Sequence, residues 1–533
     1  MSSRRPHPVA LGGAVALACL AFALTPVAAR ADHTQESTFQ DDQYLLFSPA
    51  ARVKHTLALL SQLGVTRVRV NVNWSTIAPD PLSPTPPDGF NGTAPADYPA
   101  ANWGPYDRLV EYAQAYGIGV DFDVTAPGPL WAMAPGAPTT KAANHWSPNT
   151  VDFVDFVWAL GTRYSGTYTP PGAARPLPRV NYWSIWNEPD QPGWLAPQWR
   201  KFGGKEVLNS PRLYRGYAEG AYLALILTGH HAATILIGEL APEGFTTPGP
   251  YIASTPMPFL RALYCVNGQY RRLTGTAAEA LGCPASGSAK AFVKQYPVLF
   301  DATGFAHHPY YFHHPPSYST PDQNYVPLAD IGRLEHGLDR SLAAYGVHRR
   351  LPIYITEYGY ETNPPNPRQN VTPAEQATYL NEAEYMAWRN RRVRSVSQFL
   401  LYDSPPNTAY PSSNPKYWDT FQTGLLYVNG RAKPALAAYR MPIWIPSPRL
   451  QPHARTFIWG EIRPGPHDLA QRVAVQWQPP RGRWQTVFRV RFKQPEGYFT
   501  ARVRLPGTGS VRTAWTSPSG HVYESRIVAV RLG

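Results

Sequence analysis

The sequence predicts a (β/α)8 barrel followed by a small all-β sandwich, and three observations lead to this prediction. Strand-like and helix-like segments alternate eight times between about residues 35 and 440, which is typical of parallel βαβ units. Two of the strand-like runs end in an acid, Glu188 or Glu357, with Pro or Gly close behind. After residue 446 only short alternating runs separated by turn residues remain. We expect the barrel to occupy residues 32–442 and the sandwich residues 447–533.

The predicted barrel strands are short apolar or alternating runs, as in Arg67 to Trp74, where valines alternate with polar residues. A doubly wound open sheet alternates in the same way, but no Gly-rich phosphate turn follows the first strand, so the pattern favours the barrel. The strands are expected at residues 37–46, 67–74, 119–124, 180–186, 234–240, 302–310, 353–357 and 397–402. The helices are expected at residues 57–63, 106–116, 151–164, 213–227, 331–345, 373–388 and from 434 onward.

Three long segments rich in proline extend the chain beyond the ~250 residues typical of this fold. They occupy residues 79–99, 242–256 and 403–421, and each follows a predicted strand end. Because such barrels carry their active sites at the carboxyl ends of the strands, we expect these insertions to lie around the site.

The predicted sandwich has short strands at residues 472–477, 486–492, 498–505 and 525–530, separated by Pro- and Gly-rich turns. Its tryptophans Trp459, Trp484 and Trp515 would bind glycans if they were exposed. Burial in the core is the alternative, and the alternation of the strands favours it.

The first 31 residues have the features of a secretion signal peptide. Arg4 and Arg5 form a basic start, an apolar run extends from Leu11 to Leu24, and Ala29 to Ala31 matches an A-x-A cleavage site. An uncleaved anchor is the alternative, and the two arginines also fit a twin-arginine signal. Since the apolar run is short for a membrane span, we expect a secreted, extracellular protein with no integral membrane segment after cleavage.

Export determines how the three cysteines are interpreted. Cys19 lies in the predicted signal, which leaves Cys265 and Cys283. A single pair in an oxidising compartment most simply forms a disulfide, with two buried free thiols as the alternative. One pair of cysteines also argues against a thiolate metal site.

The formal net charge of +13 raises the question of nucleic-acid binding. The arginines are scattered along the chain, and no lysine-rich run or nucleic-acid motif accompanies them. We therefore expect no nucleic-acid partner and interpret the charge as favouring solubility and attraction to acidic polymers or cell walls. We expect a monomer.

The segment Trp186 to Pro189 resembles the acid/base motif of clan A glycoside hydrolases, and Thr356 to Gly359 resembles that clan's nucleophile motif. The resemblance covers residues 35–440 and is nearest to the cellulase-like families 5 and 39. It implies that Glu188 is the acid/base and Glu357 the nucleophile of a retaining reaction. Their carboxyl groups should then lie about 5–5.5 Å apart.

The resemblance also implies roles for residues around the acids. Asn187 would bind the sugar's 2-hydroxyl, Arg69 would hold Glu357 ionised, and His308 and Tyr310 would line the cleaved subsite. A structural ion pair inside the barrel is the alternative for Arg69. Many clan members carry a tryptophan at the end of strand eight, where this chain departs from the pattern and Tyr402 would have to substitute.

Two further interpretations concern aromatic and histidine residues. Trp131, after the third predicted strand, would be a sugar platform or a packing residue. His307, His308, His313 and His314 suggest a metal site, but they lack the helical spacing and acidic ligand of known signatures. We expect neither metal nor cofactor.

These observations predict a secreted retaining glycosidase with a carbohydrate substrate. Endo-cleavage of a β-linked glycan is favoured because aromatic residues are abundant around the expected cleft. An exo-acting β-glycosidase and a non-catalytic glycan-binding barrel are the alternatives.

Overall fold

Eight parallel strands close into a barrel in the computed structural model, which describes residues 34–137, 143–465 and 469–533. Each strand pairs with its sequence neighbours, in the order β1-β8-β7-β6-β5-β4-β3-β2, which confirms the predicted fold class. The strands are β1 (Glu36–Gln40), β2 (Arg67–Asn73), β3 (Gly119–Thr125), β4 (Tyr182–Ile185), β5 (Thr234–Leu240), β6 (Gly304–His307), β7 (Ile353–Tyr358) and β8 (Val393–Phe399). The predicted signal peptide, with Cys19, lies outside the described residues.

One main helix follows each strand and packs on the outside of the barrel. These helices are α1 (Ala50–Gln62), α2 (Ala100–Ala115), α3 (Thr150–Arg163), α4 (Ser210–Leu225), α5 (Pro256–Leu263), α6 (Ile331–Ala343), α7 (Pro373–Arg389) and α8 (Pro434–Arg440). Shorter helices lie at Asp42–Leu45, Trp74–Ile77, Gly275–Ala280, Ala289–Gln295 and Val298–Asp301, and a two-stranded hairpin is formed by Trp199–Phe202 and Lys205–Leu208. Within the described ranges, no helix combines the length and the apolar character of a membrane span.

The ends of three strands differ from the sequence prediction by three residues or more, and one of them is β6, which ends at His307 rather than Tyr310. Strand β1 ends at Gln40 rather than near residue 46, because the Asp41 side chain accepts a hydrogen bond from Tyr44 N (3.2 Å) and begins a short helix. Strand β8 begins and ends earlier than predicted, and the chain leaves it at Leu400 with φ of +72°. The carboxyl end of β8 therefore presents Phe399 rather than Tyr402.

The sequence also missed the helices between β5 and β6. Residues 256–301 contain four short helices, joined by the Cys265–Cys283 disulfide that the cysteine pair predicted. Each is too short to show a helical repeat as clearly as α6 or α7 does.

The C-terminal segment forms two sheets that share one apolar core, as expected for a sandwich. The three-stranded sheet contains β9 (Ile443–Trp444), β11 (Thr456–Glu461) and β14 (Tyr498–Val503). The six-stranded sheet contains β10 (Arg449–Leu450), β12 (Gln471–Gln478), β13 (Gln485–Phe492), β15 (Gly509–Thr516), β16 (Val522–Glu524) and β17 (Val528–Leu532). Of the three tryptophans, Trp459 and Trp515 are buried and Trp484 lies beneath Arg512, 4.2 Å from its guanidinium carbon.

The sandwich is joined to the barrel by an aromatic cluster and a buried arginine. Trp459 and Tyr498 of the three-stranded sheet pack against Tyr385 and Trp388 of α7. Arg463, which follows β11, binds Glu384 of α7 (2.5 Å), Glu461 (3.2 Å), Ser37 Oγ of β1 (2.8 Å) and the carbonyl oxygen of Tyr439. The sandwich thus holds the first strand and the last two helices of the barrel together.

Replacing Arg463 with Met should lower the free energy of unfolding by about 3 kcal/mol or more, because the buried partners of the guanidinium, Glu384, Glu461 and Ser37, lose their contact with it. Urea unfolding followed by tryptophan fluorescence measures the change. Arg502→Met, which removes an exposed arginine from the same sheet, is the control and should change stability by less than about 0.5 kcal/mol. Equal midpoints for the two variants would show that the buried contact does not stabilise the junction.

Candidate active site

A cavity of about 730 Å³ opens at the carboxyl ends of the barrel strands, and both predicted acids, Glu188 and Glu357, line it. One oxygen of each carboxylate lies within 4.8 Å of the other. The two residues are 169 positions apart in the sequence, and the closed barrel brings them together because β4 and β7 end at the same rim.

Glu188 lies in a turn whose backbone has positive φ angles, which are uncommon for residues other than glycine. Strand β4 ends at Ile185, and φ is positive at both Trp186 (+67°) and Glu188 (+37°). Two contacts stabilise the turn: Trp186 stacks on Tyr217 at 4.7 Å between ring centres, and Glu188 N donates to the carbonyl oxygen of Glu239 (3.0 Å). Strain of this kind persists only where packing fixes it and is concentrated at functional sites.

Glu357 lies near the end of β7 with both carboxylate oxygens bound. Arg69 Nη1 donates to Oε1 (2.7 Å), and the Tyr310 hydroxyl donates to Oε2 (3.1 Å). Burial and the neighbouring Glu357 raise the pKa of Tyr310 well above its ordinary value, so its hydroxyl remains a donor. Both Arg69 and Tyr310 thus contact Glu357 directly.

Arg69 contacts far more than Glu357. Its Nη2 atom binds Asp123 (2.9 Å) and Glu239 (3.0 Å), and its Nη1 atom also donates to Gln40. Burial alone would lower the pKa of Arg69, but Glu239, Asp123 and Glu357 hold it above its ordinary value. The guanidinium is therefore permanently charged, and it joins β2 to β1, β3, β5 and β7. These contacts exceed the single structural ion pair that was considered as the alternative.

Asn187 lines the cavity with its amide oriented by the same arginine. Its Oδ1 accepts from Arg69 Nη2 (2.8 Å), and its backbone N donates to Thr125 Oγ1 (3.0 Å). Because the oxygen faces the guanidinium, the NH2 group is the part of the amide available to a molecule in the cavity.

His308 bridges acids on both sides of the site. Its Nδ1 lies 2.9 Å from Glu188 Oε1 and its Nε2 lies 2.8 Å from Glu239 Oε2, while Glu357 Oε2 is 3.7 Å from Nδ1. Burial alone would lower the pKa of His308, but Glu357, Glu188 and Glu239 raise it to about 10. The imidazole is therefore doubly protonated at neutral pH, and it donates to both carboxylates.

Glu239 is the residue of this site that sequence analysis missed. It is fully buried on β5 and accepts from Arg69, His308 and the Thr356 hydroxyl (2.6 Å). Burial would raise its pKa, but Arg69 and His308 lower the pKa to about 2. The sequence did contain a signal for Glu239, because this residue lies at the end of an apolar strand-like run, as Glu188 and Glu357 do.

Other carboxyl groups near the site are affected mainly by burial. It raises the pKa of Asp123 well above its ordinary value, against the opposing effect of Arg69. It also raises the pKa of Asp42, which lines the cavity, to about 7. Burial thus opposes ionisation of Asp123, while the contact with Arg69 favours it.

Four of the six predicted substrate-binding residues do not line the cavity. Arg69 and His308 are buried and reach the site only through their contacts with Glu357 and Glu188, so His308 does not line the subsite as expected. Trp131 donates from Nε1 to the carbonyl oxygen of Pro79 (3.0 Å) and packs edge-on against Trp74, so it takes the packing role that was its alternative. Tyr402 is buried between Tyr44 and Arg52 because β8 ends three residues before it. Phe399 lines the cavity in its place, 6.3 Å from Tyr310 between ring centres.

The four histidines considered as metal ligands do not converge. His307 faces the carbonyl oxygen of Val326 (2.7 Å), His313 lies beside Asn370, and His314 stacks on Tyr318. A different group, Glu188, His308 and Glu357, has one donor atom from each residue within 4.8 Å of the others. Both nitrogens of His308 already lie at hydrogen-bonding distance from carboxylates, Glu188 at 2.9 Å and Glu239 at 2.8 Å.

The acids differ in what surrounds them. Glu357 is 9% exposed and bound at both oxygens, whereas Glu188 is 20% exposed and bound at Oε1 alone. Glu188 lines the cavity, and its Oε2 has no hydrogen-bond partner among the described residues. Glu357 is thus fixed at both oxygens, whereas Glu188 is fixed at one.

No family model matches the chain, and no curated protein matches it. Several solved structures align with most of it at low identity. A glucosidase from Croceicoccus marinus is 11% identical, with a TM-score of 0.45 and 89% of this chain and 94% of that chain covered. GH5_18 from Streptomyces cattleya in complex with GlcNAc is 14% identical (TM-score 0.44; 78% and 84% covered). An endo-β-1,4-mannanase from Thermotoga petrophila is 11% identical (TM-score 0.39; 94% and 98% covered). Likeness at this level carries no argument about activity.

His308 should remain an imidazolium through about pH 8, because its pKa is raised to about 10 by three carboxylates. Its protonated form stabilises the fold fully below the ordinary value of 6.5, and this stabilisation is lost as pH rises through about 10. The ring nitrogen shifts of 15N-histidine-labelled protein report the protonation state directly.

The adjacent His307 is an internal control for this titration. Burial lowers its pKa to about 4, so it should be neutral over the same range, and the His307→Asn variant identifies its signals. Titration of His308 near its ordinary value would contradict the bridging arrangement.

Proposed function

We propose that the protein is a retaining glycosidase that hydrolyses a β-linked glycan. One observation supports this proposal above the others: two cavity-facing carboxylates on β4 and β7 approach within 4.8 Å. Retaining enzymes need a separation of about 5–5.5 Å for covalent attack on the sugar, whereas inverting enzymes leave ~6.5–9.5 Å for a water molecule. The observed approach favours the first mechanism.

The surroundings of each acid support its proposed role. Glu357, bound by Arg69 and Tyr310, is the nucleophile that attacks the anomeric carbon. Glu188, which lines the cavity, protonates the departing oxygen and then removes a proton from the attacking water. With Glu188 protonated, the cations Arg69 and His308 are paired with the two carboxylates Glu239 and Glu357.

Asn187 and His308 are proposed to support the acids. The Asn187 amide is oriented by Arg69 so that its NH2 group can donate to the sugar's 2-hydroxyl, a contact that strengthens in the transition state. His308 holds Glu188 at hydrogen-bonding distance and, through Glu239, links it to the cluster that binds Glu357.

Aromatic rings on opposite sides of the cavity favour endo-cleavage. Phe47 and Phe421, about half exposed, follow the adjacent strands β1 and β8, and Phe245, 64% exposed, follows β5 across the barrel mouth. Apolar rings at both sides of the acids provide stacking surfaces for sugars on both sides of the cleaved bond. The alternative of exo-cleavage would require a cavity closed at one side.

We also propose that the protein acts outside the cell. The disulfide between Cys265 and Cys283 supports this proposal, because such bonds persist in oxidising compartments. The signal-like features of residues 1–31 point the same way.

Substitution of each acid tests the proposed roles on an aryl β-glycoside. Glu357→Ala should abolish turnover, and azide should partly restore it with a product of inverted configuration, because azide takes the place left by the nucleophile. Glu188→Ala should lose roughly 10²–10⁴-fold on a poor leaving group and much less on an activated one. With azide it should give a product of retained configuration, as NMR of the glycosyl azide shows.

Glu243→Ala is the matched control, since this third carboxylate lines the same cavity but contacts neither acid in the described contacts. It should keep turnover of the activated substrate. Wild-type turnover by both Glu188→Ala and Glu357→Ala would favour the non-catalytic glycan-binding alternative instead.

A metal-dependent hydrolase is the second candidate, because Glu188, His308 and Glu357 are grouped closely enough to hold an ion. The double protonation of His308 argues against it. We expect dialysis against EDTA to leave turnover within about two-fold of its starting value, and added Zn²⁺ not to raise it. Loss of turnover that Zn²⁺ restores would favour the metal enzyme.

A further inference from the structure

The excess positive charge of the protein is concentrated in the sandwich. Residues 447–533 carry 14 Lys and Arg against 4 Asp and Glu, whereas residues 32–446 carry 32 of each. The arginines that looked scattered along the chain are therefore balanced by acids in the barrel but not in the sandwich. A field of one sign on one domain attracts polyanions to that domain.

Strand register brings three of these arginines onto one face of the six-stranded sheet. Arg472 on β12 lies directly opposite Arg491 on β13, and Ala474 lies opposite Arg489. Side chains alternate along a strand, and Val473 and Val490 between them point into the core. Arg472, Arg489 and Arg491 are all exposed on the outer face.

The same face continues across the sheet to its other edge. Arg531 on β17 is exposed and follows the buried Val530, and Arg449 on β10 is paired with it in register. We call these five residues the arginine face: Arg449, Arg472, Arg489, Arg491 and Arg531. The three-stranded sheet packs on the barrel through Trp459, and Arg491 at one edge of the arginine face lines a small pocket with Trp388 and Tyr498 of that contact.

The charges of the arginine face are not paired with carboxylates in the described part of the chain. None of its arginines forms an ion pair with a described carboxylate; Glu524 is taken by Arg512 (2.5 Å) and Glu461 by Arg463 (3.2 Å). Like charges directly opposite each other on paired strands are destabilising. An anionic ligand would relieve this repulsion between Arg472 and Arg491.

The cavity has the opposite character. Its charged residues among those described are Asp42, Glu188, Glu243 and Glu357, and no described Lys or Arg lines it. The described lining therefore offers an acidic polymer no exposed arginine or lysine, whereas the outer sheet of the sandwich offers several.

We propose that the arginine face docks the protein on a polyuronate, a polysaccharide with repeated carboxylates. The guanidinium group matches a carboxylate with two parallel hydrogen bonds. Small or polar side chains, such as Ala474, Gln476, Ser510 and Ala529, lie between the arginines. Trp484 lies beside them with Arg512 over its ring, and Arg512 also donates to Gln476 Oε1 (2.8 Å). Repeated guanidinium groups on one face suit the repeated carboxylates of a polymer. This proposal does not rest on the glycosidase assignment.

Binding of the full chain to polygalacturonate tests the proposal. The triple variant Arg472→Ser, Arg489→Ser, Arg491→Ser should bind about 100-fold more weakly at about 50 mM NaCl, and wild-type binding should weaken steeply as salt is raised. The matched control, Arg455→Ser with Arg502→Ser and Arg504→Ser, removes the same charge beside and on the three-stranded sheet. It should bind within about three-fold of wild type.

Three outcomes would overturn the proposal. The first is absence of wild-type binding to polygalacturonate, and the second is equal losses in both triple variants, which would make net charge the cause. The third is tighter wild-type binding to duplex DNA or to anionic lipid vesicles than to polygalacturonate. Thermal unfolding of each variant shows that the fold is intact, and none of these readouts requires turnover.

Discussion

The buried guanidinium of Arg69 is the interaction on which the upper end of the barrel depends. It joins β2 to Gln40 on β1, Asp123 on β3, Asn187 after β4, Glu239 on β5 and Glu357 on β7. A cation this deep is stable only when acids and hydrogen bonds replace the water that it lost. The residues that satisfy it are the ones that set the geometry of the site.

Glu239 and His308 extend this arrangement to the second acid. Arg69 and His308 keep Glu239 ionised, and Glu239 with the two cavity acids keeps His308 protonated. Each of these charges is stabilised by the others, so the group functions as a unit and single substitutions in it should not be additive. Glu188 is the member whose second oxygen has no hydrogen-bond partner among the described residues, which fits its proposed role as acid/base.

The barrel and the sandwich differ in formal charge. The barrel is balanced in formal charge and presents carboxylates in its cavity, while the sandwich carries the positive excess on an outer sheet. The junction between the two domains consists of aromatic rings and the buried Arg463. Arg463 donates to Ser37 Oγ on β1, the strand that also supplies Gln40 to Arg69.

The sequence alone determined the barrel, the sandwich and the two acids, because these depend on local pattern: eight apolar runs, and an acid with a Pro or Gly close behind. It also pointed to Arg69, Asn187, His308 and Tyr310 through resemblance, and the structure places all four beside the acids. Glu239 carried the same local signal as the acids but no resemblance, and Phe399 was hidden because the end of β8 depends on a backbone turn at Leu400 that no pattern shows. Only the tertiary structure decided that Trp131 and Tyr402 pack away from the cavity, since neighbours distant in sequence compete for the same rings. Strand register likewise decided that arginines distributed along the sandwich sequence face outward together.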